Sequence, residues 1–481
     1  MTRLVVGPFN RVEGDVEVTL DVAEGVVTDA RITTPLYRGF EQMLVGRPAS
    51  DSLVIAPRIC GICSVSQSIA AVASLRQLAG VEPPPNGVIA GNLAHAAENI
   101  ADHLTHFAVF FMPDFARPEY AARPWYEAIA RRFTAVTGEA AEDYLPARAQ
   151  LLHIMGLIAG KWPHSLAFQP GGTTRALDLG GRMRLKAILR DFRRFFERIV
   201  LGMEISAFLG IETSEALAAY CESGRGDLAA FLRIASDIGL ERIGAGPGPL
   251  MSFGAYHTPD GPLFAGGRYE VGAGWRPLDP DAITEDLSHA FMRGGVSHPA
   301  SGLTVPDIDK PDAYSFAKAP RLNGHPVEVG ALARQAVDGQ PLVRAILSRD
   351  GGSRVTTRIL ARMVETARLI PAMEGWVAAL DVNGPYHSAG EIHFADGRAE
   401  GLVEAARGAL GHWIGVRGGR ITEYQIVAPT TWNFSPRDEA GVPGPLEQAL
   451  VGLAVGAEGA KSVAVQHVVR SFDPCMVCTA H

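Results

Sequence analysis

Cysteine is scarce in this sequence, and its scarcity limits the kind of protein that the chain can form. Five cysteines among 481 residues are too few for a disulfide framework, so a hydrophobic core must stabilise the fold. Low cysteine use is typical of a reducing compartment, where close cysteine pairs serve metal or redox chemistry more often than they form bridges. We therefore expect a cytoplasmic protein.

Long apolar runs and blocks of like charge are also missing. No run of 18 uncharged apolar residues occurs, which predicts no membrane span. Residues 1–8 read as a short strand, because they lack the apolar stretch and cleavage site of a signal peptide. With 44 basic and 52 acidic residues the net charge is −8, which does not favour a nucleic-acid partner.

The rest of the composition suits a large globular protein, with 47% apolar and 20% charged residues. The patterns predict one integrated α+β domain over residues 1–481, with a central bundle of long helices and β elements at both ends. We divide it into N-terminal strands with a first cysteine motif (1–63), a mainly helical part (64–242), an irregular Gly/Pro-rich part (243–330) and a mixed C-terminal part (331–481).

Hydrophobic periodicity places the individual elements. Strands alternate within residues 4–32 around a turn at Glu24 and Gly25, and a helix runs from an N-cap at Ser64 to a stop at Gly80. Asp102 and His106 share one face of the next helix. Helices are predicted at 88–112, 123–136, 142–160, 176–209, 342–371 and 444–456, and a late hairpin pairs 408–416 with 420–427.

Four of the five cysteines form two Cys-x-x-Cys pairs at opposite ends of the chain, Cys60 with Cys63 and Cys475 with Cys478. Two such loops can bring four thiolates to one soft or borderline metal. A structural zinc site and an iron–sulfur cluster both accept four thiolates. A thioredoxin-like motif fits less well, because neither pair lies in a βαβ context. The fifth cysteine, Cys221, reads as a small buried hydrophobe.

The residues around the two pairs distinguish these alternatives. Arg-x-Cys-Gly-x-Cys near the start and Asp-Pro-Cys-x-x-Cys-x-x-His at the end together resemble the large subunit of nickel–iron hydrogenases. Further matching elements extend the resemblance over nearly the whole chain. They are Arg-Val-Glu-Gly-Asp at 11–15, Arg-Gly-Phe-Glu at 38–41, Arg-Gly at 407–408 and Ala-Pro-Thr-Thr-Trp-Asn at 428–433.

The resemblance implies that the four thiols hold a nickel–iron centre which splits dihydrogen (H2) into protons and electrons. Cys60 and Cys475 would be terminal ligands of nickel, while Cys63 and Cys478 would bridge nickel and iron. Carbon monoxide and cyanide would complete the iron. The electrons would leave through an iron–sulfur small subunit, in a heterodimer or a dimer of heterodimers, because no cysteines remain here to hold a cluster.

The same resemblance implies roles for residues around the metals. Arg407 would project over the open face, held by Asp102 and Asp473, and Thr430 would donate a hydrogen bond to a cyanide. Glu13 is the candidate proton relay, since a carboxylate near the metal can accept a proton from a cysteine sulfur and pass it on.

A second metal is implied near the C-terminus. Glu41, the backbone carbonyl of Ile426 and His481 would bind a hard cation, magnesium, together with several waters.

Each of these polar residues also has an ordinary interpretation. Glu13 could form a salt bridge with Arg11, and Asp102 with His106 could be a buried polar pair in a helix bundle. Arg407 could be a surface arginine beside a hairpin. These alternatives stay open at the level of sequence.

Departures from the family pattern point to a subgroup. Gln67 stands where many members have histidine, and glutamine can hydrogen-bond but cannot titrate. Ser64 replaces a common threonine and Ala406 a common proline, and the chain stops at His481 without the extension that most members carry. Gln67 and Ser64 resemble the hydrogen-sensing regulatory hydrogenases, which would signal to a histidine kinase, and also the related cyanobacterial-type uptake enzymes. The chain end resembles the sensors if the extension is never encoded, whereas a mature product from which the extension has been cleaved would end at the same residue.

The alternative within the family is an uptake hydrogenase that feeds electrons to a respiratory or other acceptor. A quinone-module subunit of respiratory complex I shares the fold, but that branch has lost the four thiols that this sequence keeps.

Overall fold

Runs of helices and runs of strands follow one another in the computed structural model, which describes residues 2–456, 459 and 462–479 and confirms the mixed α+β class. The strands are β1 (Thr2–Val6), β2 (Glu17–Ala23), β3 (Val26–Thr33), β4 (Phe168–Gln169), β5 (Gly172–Thr173), β6 (Leu250–Ser252), β7 (Ala255–Thr258), β8 (Gly261–Phe264), β9 (Gly267–Glu270), β10 (Gly274–Arg276), β11 (Ile283–Asp286), β12 (Ala319–Leu322), β13 (Gly397–Ala405), β14 (Gly408–Arg417) and β15 (Arg420–Val427). The helices are α1 (Phe40–Leu44), α2 (Ser52–Ile55), α3 (Ser64–Ala79), α4 (Pro85–Thr105), α5 (Tyr126–Phe133), α6 (Ala140–Ile158), α7 (Leu179–Phe195), α8 (Ile205–Leu209), α9 (Ser214–Glu222), α10 (Gly226–Ile238), α11 (Ala331–Val337), α12 (Pro341–Asp350), α13 (Val355–Ala379), α14 (Pro429–Asn433), α15 (Pro445–Leu450), α16 (Val463–Ser471) and α17 (Met476–Thr479).

The N-terminal strands form an antiparallel sheet in the order β1-β2-β3. Their alternating pattern turns Val18 and Leu20 of β2 into the core, where both are fully buried. The predicted turn at Glu24 and Gly25 is present, and both residues have positive φ, as a tight hairpin requires. Helix α15 packs against β3 and closes this sheet.

Long helices occupy the centre of the molecule. The 21-residue α4 packs against α6 and α13, and α13 also contacts α7 and α16. After α4 the backbone widens into a π-helical turn, His106–Phe111, a feature that is frequent at functional sites. None of the helices among the described residues is long and apolar enough to cross a membrane.

The C-terminal sheet has the antiparallel order β13-β14-β15, and α3 lies across β13 and β14. Their approach is unusually close, because a Cβ atom built on Gly401 of β13 would lie 1.9 Å from the carbonyl oxygen of Ala70 in α3. Only glycine allows this contact. It places the start of α3, and with it the first cysteine loop, against the C-terminal sheet.

Several predicted elements need correction. The N-cap of α3 is Cys63 instead of Ser64, which is the first helical residue. The single helix predicted at 342–371 is two helices, α12 and α13, and the second continues past Pro371. The helix predicted at 444–456 ends at Leu450, and both β13 and α16 were missed. Residues 243–330 carry short strands, as expected.

Candidate metal centre

The two Cys-x-x-Cys loops meet in the interior. The Sγ atoms of Cys60 and Cys475 are 3.5 Å apart, those of Cys63 and Cys478 are 3.0 Å apart, and those of the second pair are 3.3 Å apart. All four side chains are at most 5% exposed, and none of the four forms a disulfide. Buried sulfurs at these distances form a donor set that suits thiophilic metals.

The thiols influence one another strongly. Hydrogen bonds from Cys475 and the other thiols, together with the charge of Arg407, hold the pKa of Cys60 well below its usual range. Contacts with Cys475 and burial raise the pKa values of Cys63 and Cys478 well above theirs. The surroundings therefore favour the thiolate form of Cys60 over those of Cys63 and Cys478. A cationic centre among the sulfurs would favour the thiolate form of all four. The sulfurs thus fit the nickel–iron group that the sequence implies.

The N-terminal segment is fixed to the second loop through its backbone. The N–H of Met476 donates to the carbonyl of Glu13 at 2.7 Å. Gly14 follows with φ 79°, and a Cβ atom there would lie 3.1 Å from Met476 and 3.2 Å from Val477. Glycine at position 14 therefore lets Glu13 approach the cysteines.

Arg38 joins the two loops, a role that its motif in the sequence did not reveal. Its guanidinium donates to the carbonyl of Ile59, before the first pair, at 2.6 Å. It also donates to the carbonyl of Val477, inside the second pair. One side chain thus fixes the separation of loops that are hundreds of residues apart in sequence.

Glu98 is a further positioning residue that sequence reasoning missed. Its carboxyl group lies on α4 and accepts hydrogen bonds from the N–H groups of Val65 at 2.8 Å and Ser66 at 2.9 Å. It also accepts from Nε1 of Trp162 at 2.9 Å. The N-cap residue Cys63 makes no side-chain capping bond, so Glu98 caps α3 from the neighbouring helix. Only an acidic residue in a buried helix hinted at this role.

Arg407 is buried at the turn between β13 and β14, so the surface interpretation is wrong. Its Nη2 lies 3.0 Å from Oδ1 of Asp102 and 3.1 Å from Oδ1 of Asp473, and its Nε donates to the carbonyl of Asp473 at 2.8 Å. The structure therefore brings together the three residues that the sequence grouped.

The two carboxyl groups beside Arg407 differ in their pKa values. Burial raises the pKa of Asp102 well above its usual value, despite the opposing charge of Arg407. Burial also acts to raise the pKa of Asp473, but Arg407, His106 and Arg362 more than offset it, so that pKa is lowered to about 2. These shifts favour the ionised form of Asp473 and the protonated form of Asp102 beside the guanidinium.

Glu13 is half-buried near Cys60 and Arg407. Burial, followed by the charge of Cys60, raises the pKa of Glu13, and Arg407 opposes this shift. Arg11 instead donates to the carbonyl of Phe110 at 3.0 Å and to the carboxylate of Asp114. The alternative pairing of Glu13 with Arg11 is therefore not the arrangement of this structure.

Thr430 lies at the start of the second loop, where its Oγ1 accepts a hydrogen bond from the N–H of Cys475 at 3.1 Å. Gln67 is fully buried one turn after Cys63, and its Oε1 lies 2.7 Å from Nε2 of His412. His412, on β14, was not singled out from the sequence.

His106 belongs to the support of the second loop. It lies in the π-helical turn, and its Nε2 donates to the carbonyl of Arg470 at 2.6 Å. Burial lowers the pKa of His106 to about 3, so the imidazole is neutral. Together with Asp102 it ties α4 to the segment that carries the second cysteine pair.

The second predicted metal site has an internal cation that the sequence did not suggest. Glu41 is 1% exposed and accepts from the N–H of Ile426 at 2.8 Å, and both its oxygens are 3.3 Å from Nζ of Lys318. The same ammonium lies 3.4 Å from Glu285 and donates to Gln425 at 2.6 Å. These oxygens suit a hard cation, but Lys318 contacts all three side chains. His481 lies outside the described residues.

Cys221 takes no part in this centre. It is partly exposed at a cavity beside α9 and α10, so the prediction of a buried side chain was only partly right.

Known proteins of the same kind cover the whole chain. The family described as nickel-dependent hydrogenase matches residues 38–124 and 140–481. The "Periplasmic [NiFeSe] hydrogenase large subunit" of Desulfomicrobium baculatum is 30% identical over all of this chain and 95% of its own length. The "Uptake hydrogenase large subunit" of Rhodobacter capsulatus is 25% identical, with 100% and 95% coverage.

Solved structures agree with these sequence matches. The reduced Ni-Fe-Se hydrogenase from D. vulgaris Hildenborough superposes with a TM-score of 0.86 at 27% identity, over 100% of both chains. The H2-activated [NiFeSe]-hydrogenase of Dm. baculatum gives 0.85 at 28% identity, also over 100% of both. With four buried thiols gathered at one point and these matches end to end, the chain belongs to the nickel-dependent hydrogenase large-subunit family.

Proposed function

We propose that the four cysteines carry a nickel–iron centre, with carbon monoxide and cyanide on the iron, at which the chain converts H2 into two protons and two electrons. The observation that carries this proposal is the convergence of four buried sulfurs beside Arg407 and Glu13. When bound, the metals supply an electrophilic site for H2. The protein supplies the residues that carry the protons away and that stabilise the thiolates.

Two side chains perform these two tasks. Glu13, whose pKa is raised by burial, can take up a proton at a carboxylate oxygen and release it to solvent from its half-exposed position. Arg407 keeps a fixed positive charge beside Cys60 and Cys475, because Asp102 and Asp473 orient its guanidinium. It therefore stabilises thiolates without itself exchanging protons.

The proposal is tested by metal analysis and infrared spectroscopy of the purified protein. We expect about one nickel and one iron per chain and infrared bands from metal-bound carbon monoxide and cyanide. Cys475→Ser should abolish both the nickel and the bands, whereas Cys221→Ser should change neither. Zinc in place of nickel, without such bands, would instead support a structural zinc site.

An iron–sulfur small subunit is part of the proposal, because Cys221 is the only cysteine left outside the centre. The surface just before the first cysteine loop supports a partner there, since Met43, Val45 and Val54 are apolar yet 41–49% exposed. We expect Val54→Glu to weaken co-purification of the small subunit. Leu179→Glu, at an exposed apolar residue on α7, should leave it intact. The size of the complex would separate a heterodimer from a dimer of heterodimers.

Magnesium at Glu41 is also proposed, with the carbonyl of Ile426 and His481 as further ligands. The buried side chains of Glu41 and Glu285 support it, because both place carboxylate oxygens, the ligands that a hard cation prefers, around one point at Lys318. Elemental analysis should find one magnesium per chain, lost in Glu41→Gln. If magnesium is absent from the wild type and the protein is stable, Lys318 supplies the cation of this site.

We further propose that the enzyme works as a low-turnover H2 sensor in the cytoplasm, signalling to a histidine kinase. Gln67 and Ser64 support this subgroup. Slow turnover that persists in oxygen, and H2-dependent phosphorylation of a co-purifying kinase, are the expected results. Cell fractionation measures the compartment.

An uptake hydrogenase is the second candidate, and relatives that bear that name favour it. Fast, oxygen-sensitive turnover coupled to an electron acceptor would support this candidate over the sensor. If Gln67→His leaves turnover and signalling unchanged, position 67 does not distinguish the sensor from the uptake enzyme.

A further inference from the structure

A chain of three buried polar side chains runs from the C-terminal sheet to the first cysteine loop. The hydroxyl of Tyr424 on β15 lies 2.8 Å from Nδ1 of His412 on β14, and Nε2 of His412 lies 2.7 Å from Oε1 of Gln67 on α3. All three side chains are at most 1% exposed. Both contacts are short and direct, so each side chain restricts the proton positions of the next.

The direction of donation along this chain follows from its far end. The Tyr424 hydroxyl makes no hydrogen bond other than that to His412 among the described residues. Donation from Tyr424 to Nδ1 places the imidazole proton on Nε2, which then donates to the oxygen of Gln67. The reverse direction would leave the buried Tyr424 proton without an acceptor, which is the costlier arrangement.

This direction decides which way the amide of Gln67 faces. Because its oxygen is held by His412, its NH2 group must point away from the sheet. Gln67 lies four residues after Cys63 on α3, and its N–H donates to the Cys63 carbonyl at 3.0 Å. A helical side chain covers the turn before its own Cα, so this amide lies over the turn that begins at Cys63.

The NH2 group has no hydrogen-bond partner within the described part of the chain, although it is fully buried. A buried donor needs an acceptor, and the turn that this amide covers begins at Cys63, whose sulfur lies 3.0 Å from that of Cys478. We infer that Tyr424 and His412 act as positioning residues which hold the Gln67 amide so that its NH2 donates to that centre, at the sulfur of Cys63 or at an anionic ligand of the metals.

The inference rests on the proposed nickel–iron function and deepens it. It gives Gln67 a defined role as a hydrogen-bond donor. From the sequence, glutamine in place of histidine indicated only that a titratable group is absent at this position. Because an amide does not titrate, the hydrogen bond it donates stays the same as pH changes.

The test uses the metal-loaded protein with its small subunit and records the infrared bands of the metal ligands. Tyr424→Phe removes the hydroxyl that fixes the imidazole, so we expect the bands to shift. Tyr220→Phe is the matched control, because Tyr220 is also buried and its hydroxyl donates to the carbonyl of Leu201 at 2.8 Å, away from the centre. Its bands should stay at the wild-type positions.

A double-mutant cycle shows whether the effect passes through the amide. In a Gln67→Leu background, which has no amide to orient, Tyr424→Phe should cause no further shift. Unshifted bands in Tyr424→Phe, or equal shifts with and without Gln67, would overturn the inference.

A second pair of variants applies if Tyr424→Phe fails to fold. His412→Gln can place a donor nitrogen near the position of Nε2 and should keep the wild-type bands, while the shorter His412→Asn should shift them. Equal behaviour of the two variants would also overturn the inference. If the wild type lacks the bands altogether, the proposed nickel–iron function fails instead.

Discussion

Gly401→Ala tests the contact that positions α3 against β13, and the structure shows how far the added methyl group would overlap with α3. The added Cβ atom would lie 1.9 Å from the carbonyl oxygen of Ala70 and 3.0 Å from the nitrogen of Ser74. Ordinary contacts begin near 3.4 Å, so β13 and α3 must separate by about 1.5 Å. Overpacking a core costs about 1–3 kcal/mol. Because the atoms that meet are backbone atoms on both sides and resist movement, we expect the free energy of unfolding to fall by at least about 3 kcal/mol.

The assay is urea unfolding of the purified chain, with nickel content as a second readout. Since α3 begins immediately after Cys63, the displacement should also lower nickel occupancy. Gly156→Ala is the control, because a Cβ atom there meets nothing within 4 Å and alanine in a helix interior should stabilise by about 0.5–1 kcal/mol. If Gly401→Ala costs less than about 1 kcal/mol and retains nickel, then α3 is not fixed by this contact.

Three other changes follow from the described contacts. Burial raises the pKa of Glu98 from 4.5 to about 7. The contribution of Glu98 to stability is therefore largest below pH 4.5 and falls by about 3 kcal/mol as pH rises through 7. In Glu98→Gln, urea unfolding curves recorded at pH 5 and pH 8 should no longer show this loss of stability. Arg334 pairs with Glu365 at 2.7 Å and Glu404 at 2.8 Å, so Arg334→Met should lower the free energy of unfolding by about 3–5 kcal/mol at pH 8. The loss should be smaller at pH 5, because burial raises the pKa of Glu404 to about 7 and its carboxyl group then takes up a proton. Glu13→Gln should slow H2 turnover by about 100-fold or more without lowering nickel content or H2 binding, and unchanged turnover would remove Glu13 from the proton path.

The sequence predicted the residues that meet at the candidate centre better than it predicted the helices and strands between them. The two cysteine pairs, Arg407 and Asp473 stand in short motifs, because the chemistry at a metal restricts residue type and local spacing. Helix boundaries were less certain, since the packing of α12 and α13 overrides local propensity. Strand β13 escaped notice because its pairing with β14 is a tertiary contact that local patterns only weakly indicate.

The contacts that hold the centre together were beyond the reach of the sequence. Nothing near Arg38 indicates that its guanidinium spans both loops, and nothing near Glu98 indicates that it caps a different helix. Lys318 lies far in sequence from Glu41, yet the two are neighbours in the core. Such pairs form where separate elements cross, and the crossing depends on the whole packing.

Position 67 shows which features the sequence determines and which the tertiary structure determines. The sequence alone determined that a glutamine, which cannot titrate, follows the first cysteine pair, and it predicted that four thiols with an arginine and acidic residues meet at one site. Only the tertiary structure placed His412 and Tyr424 behind that glutamine and thereby decided which end of its amide faces the C-terminal sheet. The physical reason is that residue type is a local property, whereas the direction of a buried hydrogen bond depends on every partner in its chain.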